Sequence, residues 1–347
     1  MRLAAAPGRH GQAVRAGLAL GAVALLLLGI ALAVSIGEMR VPAATVLRVV
    51  SNRMLGTAFE VSRIQDGVIW DYRLSRALFA AVLGAGLAMA GAVLQALLRN
   101  PLAEPYVLGL SAGASAGAVA VVVLGLGGTT VTLSGGAFGG ALLALAAVAA
   151  LGSVAGGGTD RILLAGVVVA QLFSAITAYV VATAADAEQA RGVMFWLLGN
   201  LSGVRWDDLA LAAPVVALAG LACLLQARAL DAFTFGTDAA AALGVSVPAI
   251  RAVLFGVTAA MTAVLVSIAG TVGFVGLVVP HAARFLVGPC HVRLLPAAAL
   301  LGAILAVMAD ILSRTLVPQQ TLPIGVVTAL FGAPAFAAIL CRTRRAA

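Results

Sequence analysis

The sequence predicts an all-α membrane protein with about ten transmembrane helices and both termini in the cytoplasm. Of its 347 residues, 63% are hydrophobic and only 10% are charged, and the mean hydropathy is +1.13. A soluble domain is about half apolar and about a quarter charged. Apolar stretches of about 20 residues, the length that spans a bilayer as a helix, recur along the chain. The 40 glycines suit closely packed transmembrane helices.

Ten apolar stretches have this length, and together they form one transmembrane domain over residues 17–340. They are residues 17–36, 74–98, 106–126, 136–155, 162–184, 207–226, 248–269, 271–287, 292–312 and 323–340. Residues 1–16 and 341–347 are then cytoplasmic tails. The first stretch follows a basic leader, as a signal peptide would, but its apolar core is long and no A-x-A site ends it clearly. We expect it to remain as a helix.

The distribution of arginine sets the orientation. An even number of spans puts both termini on one side, and twelve of the 21 arginines fall there. An excess of cations marks the cytoplasmic side. The connections 98–105 and 227–247 are therefore expected inside, and Arg73, Arg76 and Arg314 outside.

Three connections are longer than turns. Residues 37–73 form an outer segment of weak amphipathic character, and residues 185–205 contain a helix-like piece too short to span. The inner loop 227–247 includes the helix-forming run TDAAAALG, with Asp238 near its start and Gly244 at its end. A short helix on the cytoplasmic face could contact a soluble partner.

Several classes of function are excluded or disfavoured. All basic residues are Arg, so the chain has no Lys for a phosphate-binding P-loop and is expected to hydrolyse no ATP itself. The three cysteines are far apart, and no metal or cofactor is expected. Dispersed arginines without interleaved aromatics argue against nucleic acid as a partner. No catalytic set is present, and the span centres lack the ionisable residues that proton-coupled transport uses.

A compact polar segment joins the second and third stretches. Arg99, Asn100, Pro101, Glu104 and Pro105 lie within seven residues, between two apolar helices. The prolines explain a tight turn, because they stop a helix from continuing. Asn100 and Glu104 would also suit a gate, since polar groups at this depth need protein partners or a water-filled path. Both interpretations stay open at this point.

Arginines mark the outer ends of two spans. Arg73 and Arg76 share a helix face at the start of the second stretch, and Arg314 ends the ninth. They would serve either as interface anchors or as a cationic rim for an acidic partner. Asp310 lies four residues before Arg314 and is placed to pair with it. In the eighth stretch, Pro280 is expected to kink or end the helix.

Long segments of the chain resemble the FecCD family of ABC importer permeases, which serve iron–siderophore, heme and cobalamin uptake. The resemblance covers about residues 70–340 and is carried, in order, by RLSRALFAAVLGAGLAMAGAVLQALLRNPLAEPYVLGLSAGASAGA, GFVGLVVPHAARFLVG, MADILSRTL and LPIGVVTALFGAPAFAAIL. It implies a type II importer permease with ten helices that pairs with an identical or related permease. It also implies two cytoplasmic ATP-binding subunits and an extracytoplasmic substrate-binding protein.

The resemblance also implies roles for individual residues. The binding protein would dock on Arg73, Arg76 and Arg314; the translocation gate would contain Asn100, Leu102 and Thr159; and the ATPase coupling loop would present Thr237, Asp238, Leu243 and Gly244. Two positions depart from the family pattern. Ser75 replaces a proline at the start of the second span, and Gly158 stands where a small hydroxyl residue can occur.

We therefore expect the permease subunit of an ATP-driven importer in the cell membrane, with an iron(III)–siderophore complex as substrate. Heme and cobalamin are the alternatives within the family. An ion-coupled secondary transporter or a membrane scaffold without transport are the alternatives from other classes.

Overall fold

A computed structural model describes residues 9–37, 41–126, 132–156 and 158–343, and the regular secondary structure in these ranges is helical. The parts of the two predicted tails at residues 1–8 and 344–347 lie outside the described residues. Helix α1 begins at Arg9, eight residues before the predicted start of the first span.

The elements follow one another along the chain as helices of very different length. They are α1 (Arg9–Ser35), α2 (Ala43–Leu55), α3 (Arg63–Gly67), a π-helical segment (Val68–Leu74), α4 (Ser75–Leu97), a 3₁₀ turn (Pro105–Leu108), α5 (Leu110–Val122), α6 (Leu133–Val154), α7 (Thr159–Ala184), α8 (Ala187–Leu197), α9 (Trp206–Leu225), α10 (Ala227–Phe233), α11 (Thr237–Ala242), α12 (Val247–Ala269), α13 (Val275–Val287), α14 (His291–Thr315) and α15 (Ile324–Thr343).

Each of the ten predicted stretches contains a helix in the described part of the chain. Seven helices are long and apolar enough to cross a membrane, and three shorter apolar helices occupy the third, eighth and tenth stretches. Helices α5 and α13 have 13 residues each, or about 20 Å, against a hydrocarbon core of about 30 Å. These two therefore reach only part of the way across as regular helices.

The second span is longer than predicted. Its helix runs without a break from Arg63 through the π-helical segment to Leu97, a length of 35 residues, so the predicted start at residue 74 was wrong. Hydropathy marks where a helix enters the apolar layer, whereas the backbone hydrogen bonds continue through the polar residues before it. Helix α4 is mostly buried and packs against α9, α12, α13 and α14.

Glycines allow α4 to approach its neighbours at backbone distance. A methyl group on Gly84 would clash with the carbonyl oxygen of Gly302 in α14, and one on Gly91 would clash with that of Gly276 in α13. Small residues are what permit such contacts between transmembrane helices. The core of the bundle is therefore built around α4.

The backbone between α12 and α13 is not helical. Gly270 and Phe274 have φ values of +71° and +68°, and α13 begins only at Val275, four residues after the predicted start of the eighth span. Because Gly276 packs on Gly91, this interruption lies alongside α4 rather than beyond its end. Non-helical backbone at such a depth must be buried in protein or line a water-filled path.

Of the two outcomes expected at Pro280, a kink or the end of the helix, the second does not occur, because α13 continues past Pro280 to Val287. Proline has no N–H and leaves the carbonyl four residues earlier, that of Gly276, without its helical donor. The side chain of Gln95 supplies the missing donor, with its Nε2 at 3.3 Å from the oxygen of Gly276.

The bundle has two ends, which α4 connects over about 34 Å. The arginine end carries Arg73, Arg76 and Arg314. The loop end carries residues 98–105 and 227–247, since Leu230 and Phe233 pack against Ala96 and Leu97 at the end of α4.

Candidate functional site

At the arginine end, a buried carboxylate joins two arginines from different helices. Arg76 donates from Nε to Asp310 Oδ1 at 2.6 Å, and Arg314 donates from Nη2 to Asp310 Oδ2 at 2.8 Å. Arg76 also donates to the hydroxyls of Ser202 and Ser313 at 3.2 and 3.4 Å. The predicted Asp310–Arg314 pair is therefore confirmed, whereas the pair with Arg76 was not predicted from the sequence.

Arginines at the same end also bind the last carbonyls of α1. Arg73 donates to the oxygens of Val34 and Ser35 at 3.0 and 3.3 Å. Arg314 donates to those of Ala33 and Ile36 at 3.1 Å each. These carbonyls have no partner within the helix, and cations stabilise a helix C-terminus. The cluster thus fastens the end of α1 to α4 and α14.

The three arginines face inward in this conformation. Arg73 and Arg76 are 4% and 2% exposed, and the side chain of Arg314 is 9% exposed. Arg76 and Arg314 share the carboxylate of Asp310, the one acidic residue that is buried in the described part of the chain. Two buried guanidinium groups therefore face one buried carboxylate, an arrangement that would favour an additional anion.

The polar segment between α4 and α5 is a hydrogen-bonded turn at the loop end. Arg99 adopts a left-handed conformation, with φ of +48°, immediately after α4. The side-chain oxygen of Asn100 accepts from the backbone N–H of Leu102 at 2.9 Å, and Leu102 is 50% exposed. Asn100 therefore shapes the turn and leaves the leucine side chain accessible.

This turn is tied to the interruption before α13. The hydroxyl of Tyr106 donates to the carbonyl of Val272 and accepts from its N–H, both at 2.9 Å, while Nε2 of His281 donates to the carbonyl of Pro101 at 3.0 Å. Tyr106 replaces a backbone partner that the broken helix cannot supply. This role of Tyr106 was not predicted, because nothing in the sequence distinguishes Tyr106 from the apolar residues around it.

Glu104 is half-buried in the same connection. Burial raises the pKa of the Glu104 carboxyl above its ordinary value near 4.5, and the backbone of Phe274 opposes part of that rise. The acid therefore lies close to the interruption before α13.

Thr159 is the first residue of α7, and its side chain lies outside the described residues. The 3₁₀ turn that follows Glu104 packs against α7. The two segments that the resemblance predicts to form a gate are thus connected through neighbouring elements.

The inner loop forms two short helices, α10 and α11. The predicted short helix is confirmed as α11, which begins at Thr237 and ends before Gly244, whose φ is +81°. Ala240 is buried against the bundle, while Asp238 is exposed and Leu243 is 72% exposed. Phe235, which sequence reasoning did not single out, is 78% exposed beside them. The loop therefore exposes two large apolar side chains, those of Phe235 and Leu243.

A groove of about 560 Å³ runs between α8, the interruption before α13, and α15. Its walls are almost wholly apolar and are formed by residues that include Leu198, Thr271, Phe274, Gly325, Leu330 and Pro334. In the described ranges, no group of three His, Cys, Asp or Glu side chains could hold a metal ion. The groove is therefore suited to a bulky, weakly contacted molecule rather than to a coordinated ion.

Comparisons with known proteins agree with this architecture. The FecCD transport family matches residues 25–342. An uncharacterised ABC transporter permease protein, YvrB of Bacillus subtilis, is 38% identical over 328 residues and covers 92% of each chain. The cobalamin import system permease protein BtuC of Halobacterium salinarum is 39% identical over 286 residues, covering 81% of this chain and 75% of its own.

A solved structure has the same fold. It is described as an inward-facing conformation of an ABC transporter of metal-chelate type, with a TM-score of 0.81 and 28% sequence identity. The alignment covers 94% of this chain and 99% of the other. The chain therefore belongs to the FecCD family and is a multi-pass ABC importer permease.

Proposed function

We propose that the chain is the permease subunit of an ATP-driven importer whose substrate is an iron(III)–siderophore complex. The observation that carries the proposal is the position of two contact regions at opposite ends of α4. The arginine cluster lies at one end, and the exposed helix α11 with Phe235 and Leu243 lies at the other. An ATP-driven importer needs a contact for the substrate-binding protein on one face of the membrane and a contact for the ATP-binding subunits on the other.

At the arginine end, the proposed partner is an extracytoplasmic substrate-binding protein with acidic residues on its docking face. Arg76 and Arg314 share one carboxylate, and the positive charge that this leaves supports an acidic partner. Because these side chains are buried, docking requires that partner carboxylates replace some of the bonds to Asp310 and to the end of α1. Docking would then act directly on α1 and α14.

At the loop end, the proposed partners are two ATP-binding subunits, one for each permease of an identical or related pair. Thr237, Asp238, Leu243 and Gly244 would sit in a groove of the ATPase. Support comes from the exposed leucine on a helix whose other side is anchored by Ala240. Movement of this loop would pass to α4, on which α10 packs.

The substrate path is proposed to follow the apolar groove beside α8 and α15 and to close at Asn100, Leu102 and Thr159. The hydrogen bonds of Tyr106 and His281 connect the turn that carries the gate to the interruption before α13, so the two can move together. Few polar groups line the groove, which suits a chelate recognised chiefly by its binding protein.

The substrate class rests on the match to a metal-chelate type transporter. The relative named for cobalamin import makes cobalamin the second candidate, with heme as a third. An ion-coupled mechanism is disfavoured. Such a mechanism would use a buried carboxylate to bind the coupling ion, and both oxygens of the buried Asp310 are already paired with arginines.

Uptake in cells that lack the gene, with and without its restoration, tests the proposal. The panel contains radiolabelled iron on several siderophores, heme and cobalamin. Restored uptake of an iron–siderophore complex that stops when ATP is depleted supports it. Restored uptake of heme or cobalamin instead would refute the substrate but keep the transport class. Uptake that persists without ATP would refute the class.

A further inference from the structure

A cleft at the loop end is lined by cationic side chains that the proposed transport function does not use. It has a volume of about 310 Å³ and lies between the end of α4, the linker before α11, and the start of α14. The lining residues are Gln95, Ala96, Arg99, Pro101, Thr234, Arg284, Pro289 and His291.

Two guanidinium groups face this cleft from different parts of the chain. Arg99 follows α4, and its side chain extends to the linker before α11, where Nη1 of Arg99 would lie 3.6 Å from a Cβ atom placed on Gly236. Arg284, near the end of α13, is half-buried. Neither arginine pairs with a carboxylate among the described residues. The cleft therefore carries two positive charges without an internal counter-ion.

Arg284 is held in place by a buried network. Its Nη1 donates to Oε1 of Gln95 at 2.7 Å, and Gln95 is only 4% exposed. The Nε2 of Gln95 in turn donates to the carbonyls of Gly276 and Leu277 at 3.3 Å each. The carbonyl of Gly276 is free to accept because Pro280 has no N–H. The orientation of Arg284 is thus built into the fold.

An acid beside the cleft, Asp231, is bonded to other groups. Asp231 Oδ1 accepts from the backbone N–H and from Nδ1 of His291, at 2.8 and 2.6 Å. The thiol of Cys290 lies 3.5 Å from Oδ2. His291 is 1% exposed, and among the described residues its Nε2 has no hydrogen-bond partner. Asp231 thus holds the start of α14 and forms no ion pair with Arg99 or Arg284, whose N–H groups can still donate to an anion.

We propose that this cleft binds a phosphate group through Arg99 and Arg284. Guanidinium forks match the oxygens of phosphate, and the bonds are stronger than those between neutral groups. A basic pocket between transmembrane helices at the cytoplasmic face suits an anionic lipid headgroup. Inorganic phosphate has the same chemistry and is the other possible source. The site is independent of which substrate the importer carries.

The test uses the purified full-length chain in two arms. In one arm, inorganic phosphate is titrated calorimetrically against the protein in detergent. In the other, nanodiscs containing phosphatidylglycerol are compared with nanodiscs of phosphatidylcholine alone, and the lipid retained by the protein is quantified by native mass spectrometry. Binding of phosphatidylglycerol supports a lipid headgroup as the source. Binding of inorganic phosphate alone supports the free anion.

Variants connect binding to the cleft. Arg284→Gln and Arg99→Gln are each expected to weaken binding about tenfold, the loss of one charge-assisted interaction. Arg228→Gln removes an exposed arginine from the same end and is expected to change nothing. If Arg284→Gln fails to fold, Arg99→Gln still tests whether phosphate binds in the cleft. Arg99 is exposed, so its replacement should not disturb the fold.

Two results would overturn the proposal. One is no binding of either phosphate source by the unaltered protein. The other is equal binding by Arg99→Gln, Arg228→Gln and the unaltered protein, which would place the phosphate elsewhere.

Discussion

Arg76 and Asp310 are 234 residues apart in the chain, yet Nε of Arg76 lies 2.6 Å from the carboxylate of Asp310 inside the bundle. The side chains of the two residues are 3% and 0% exposed. This pair joins α4 to α14 at the end where α1 also terminates, and it connects the architecture of the bundle to its proposed docking site.

Replacing Asp310 with Asn is expected to destabilise the protein by about 3–5 kcal/mol, because Arg76 and Arg314 lose their shared buried counter-ion. Thermal unfolding in detergent measures the effect. Asp66→Asn is the control, because it removes an ion pair at the surface. The side chains of Arg53 and Asp66 are 47% and 26% exposed, and loss of their pair should lower the stability by at most about 1 kcal/mol. Equal stability of the two variants would show that the buried pair contributes no more to stability than the pair at the surface.

Arg314→Gln is expected to weaken docking of the substrate-binding protein, most strongly at low ionic strength, because salt screens attraction between charges. Surface plasmon resonance at several salt concentrations measures the change. Arg53→Gln lies at the same end outside the cluster and serves as the matched control. An affinity that is unchanged at every salt concentration would leave Arg314 as an anchor for α1 alone.

Leu243→Asp is expected to abolish the stimulation of ATP hydrolysis by substrate-loaded binding protein. The exposed leucine is proposed to enter the ATPase groove, where a charge would be buried without a partner. The measurement compares ATPase rates of reconstituted transporter with and without binding protein. Leu225→Asp alters an equally exposed leucine at the end of α9 and should retain stimulation. Normal coupling in Leu243→Asp would refute the assignment of this loop.

Gly91→Ala is expected to destabilise the bundle, because the added methyl group would clash with the backbone oxygen of Gly276, which cannot rotate away. Gly139→Ala is the control, since no atom lies within 4 Å of a methyl group there. In that half-buried helical position, where a methyl group meets open space, alanine should stabilise by up to about 1 kcal/mol. The melting temperatures of the two variants should therefore move in opposite directions, and a shift of the same sign would contradict the packing.

Glu104 gives a prediction for pH. Its pKa is raised in the folded protein, so above the ordinary value near 4.5 the folded state binds more protons than the unfolded state. Stability must then fall as the pH rises through that range. The melting temperature of Glu104→Gln should fall less over the same range than that of the unaltered protein. If the melting temperatures of the two proteins change in parallel with pH, Glu104 does not contribute to the pH dependence of stability.

Local pattern predicted the helices well where one apolar stretch is one helix. The stretches at 207–226 and 248–269 agree with α9 and α12 to within one residue at each end. The predictions failed at the start of the second span, whose helix begins at Arg63, and at residues 271–274, because hydropathy does not report backbone conformation. At the interruption before α13, the hydroxyl of Tyr106 binds the N–H and the carbonyl of Val272, which a continuous helix would have paired internally.

The all-helical membrane class, the positions of the apolar segments and the family resemblance could all be predicted from the amino-acid sequence. These properties depend on consecutive residues, since burial in a bilayer requires stretches of about 20 apolar side chains. The sharing of Asp310 by Arg76 and Arg314, and the position of Arg99 and Arg284 in one cleft, became visible only in the folded bundle. Each of these groupings joins residues from separate helices, and the interactions between their charges depend on distance and burial rather than on position along the chain.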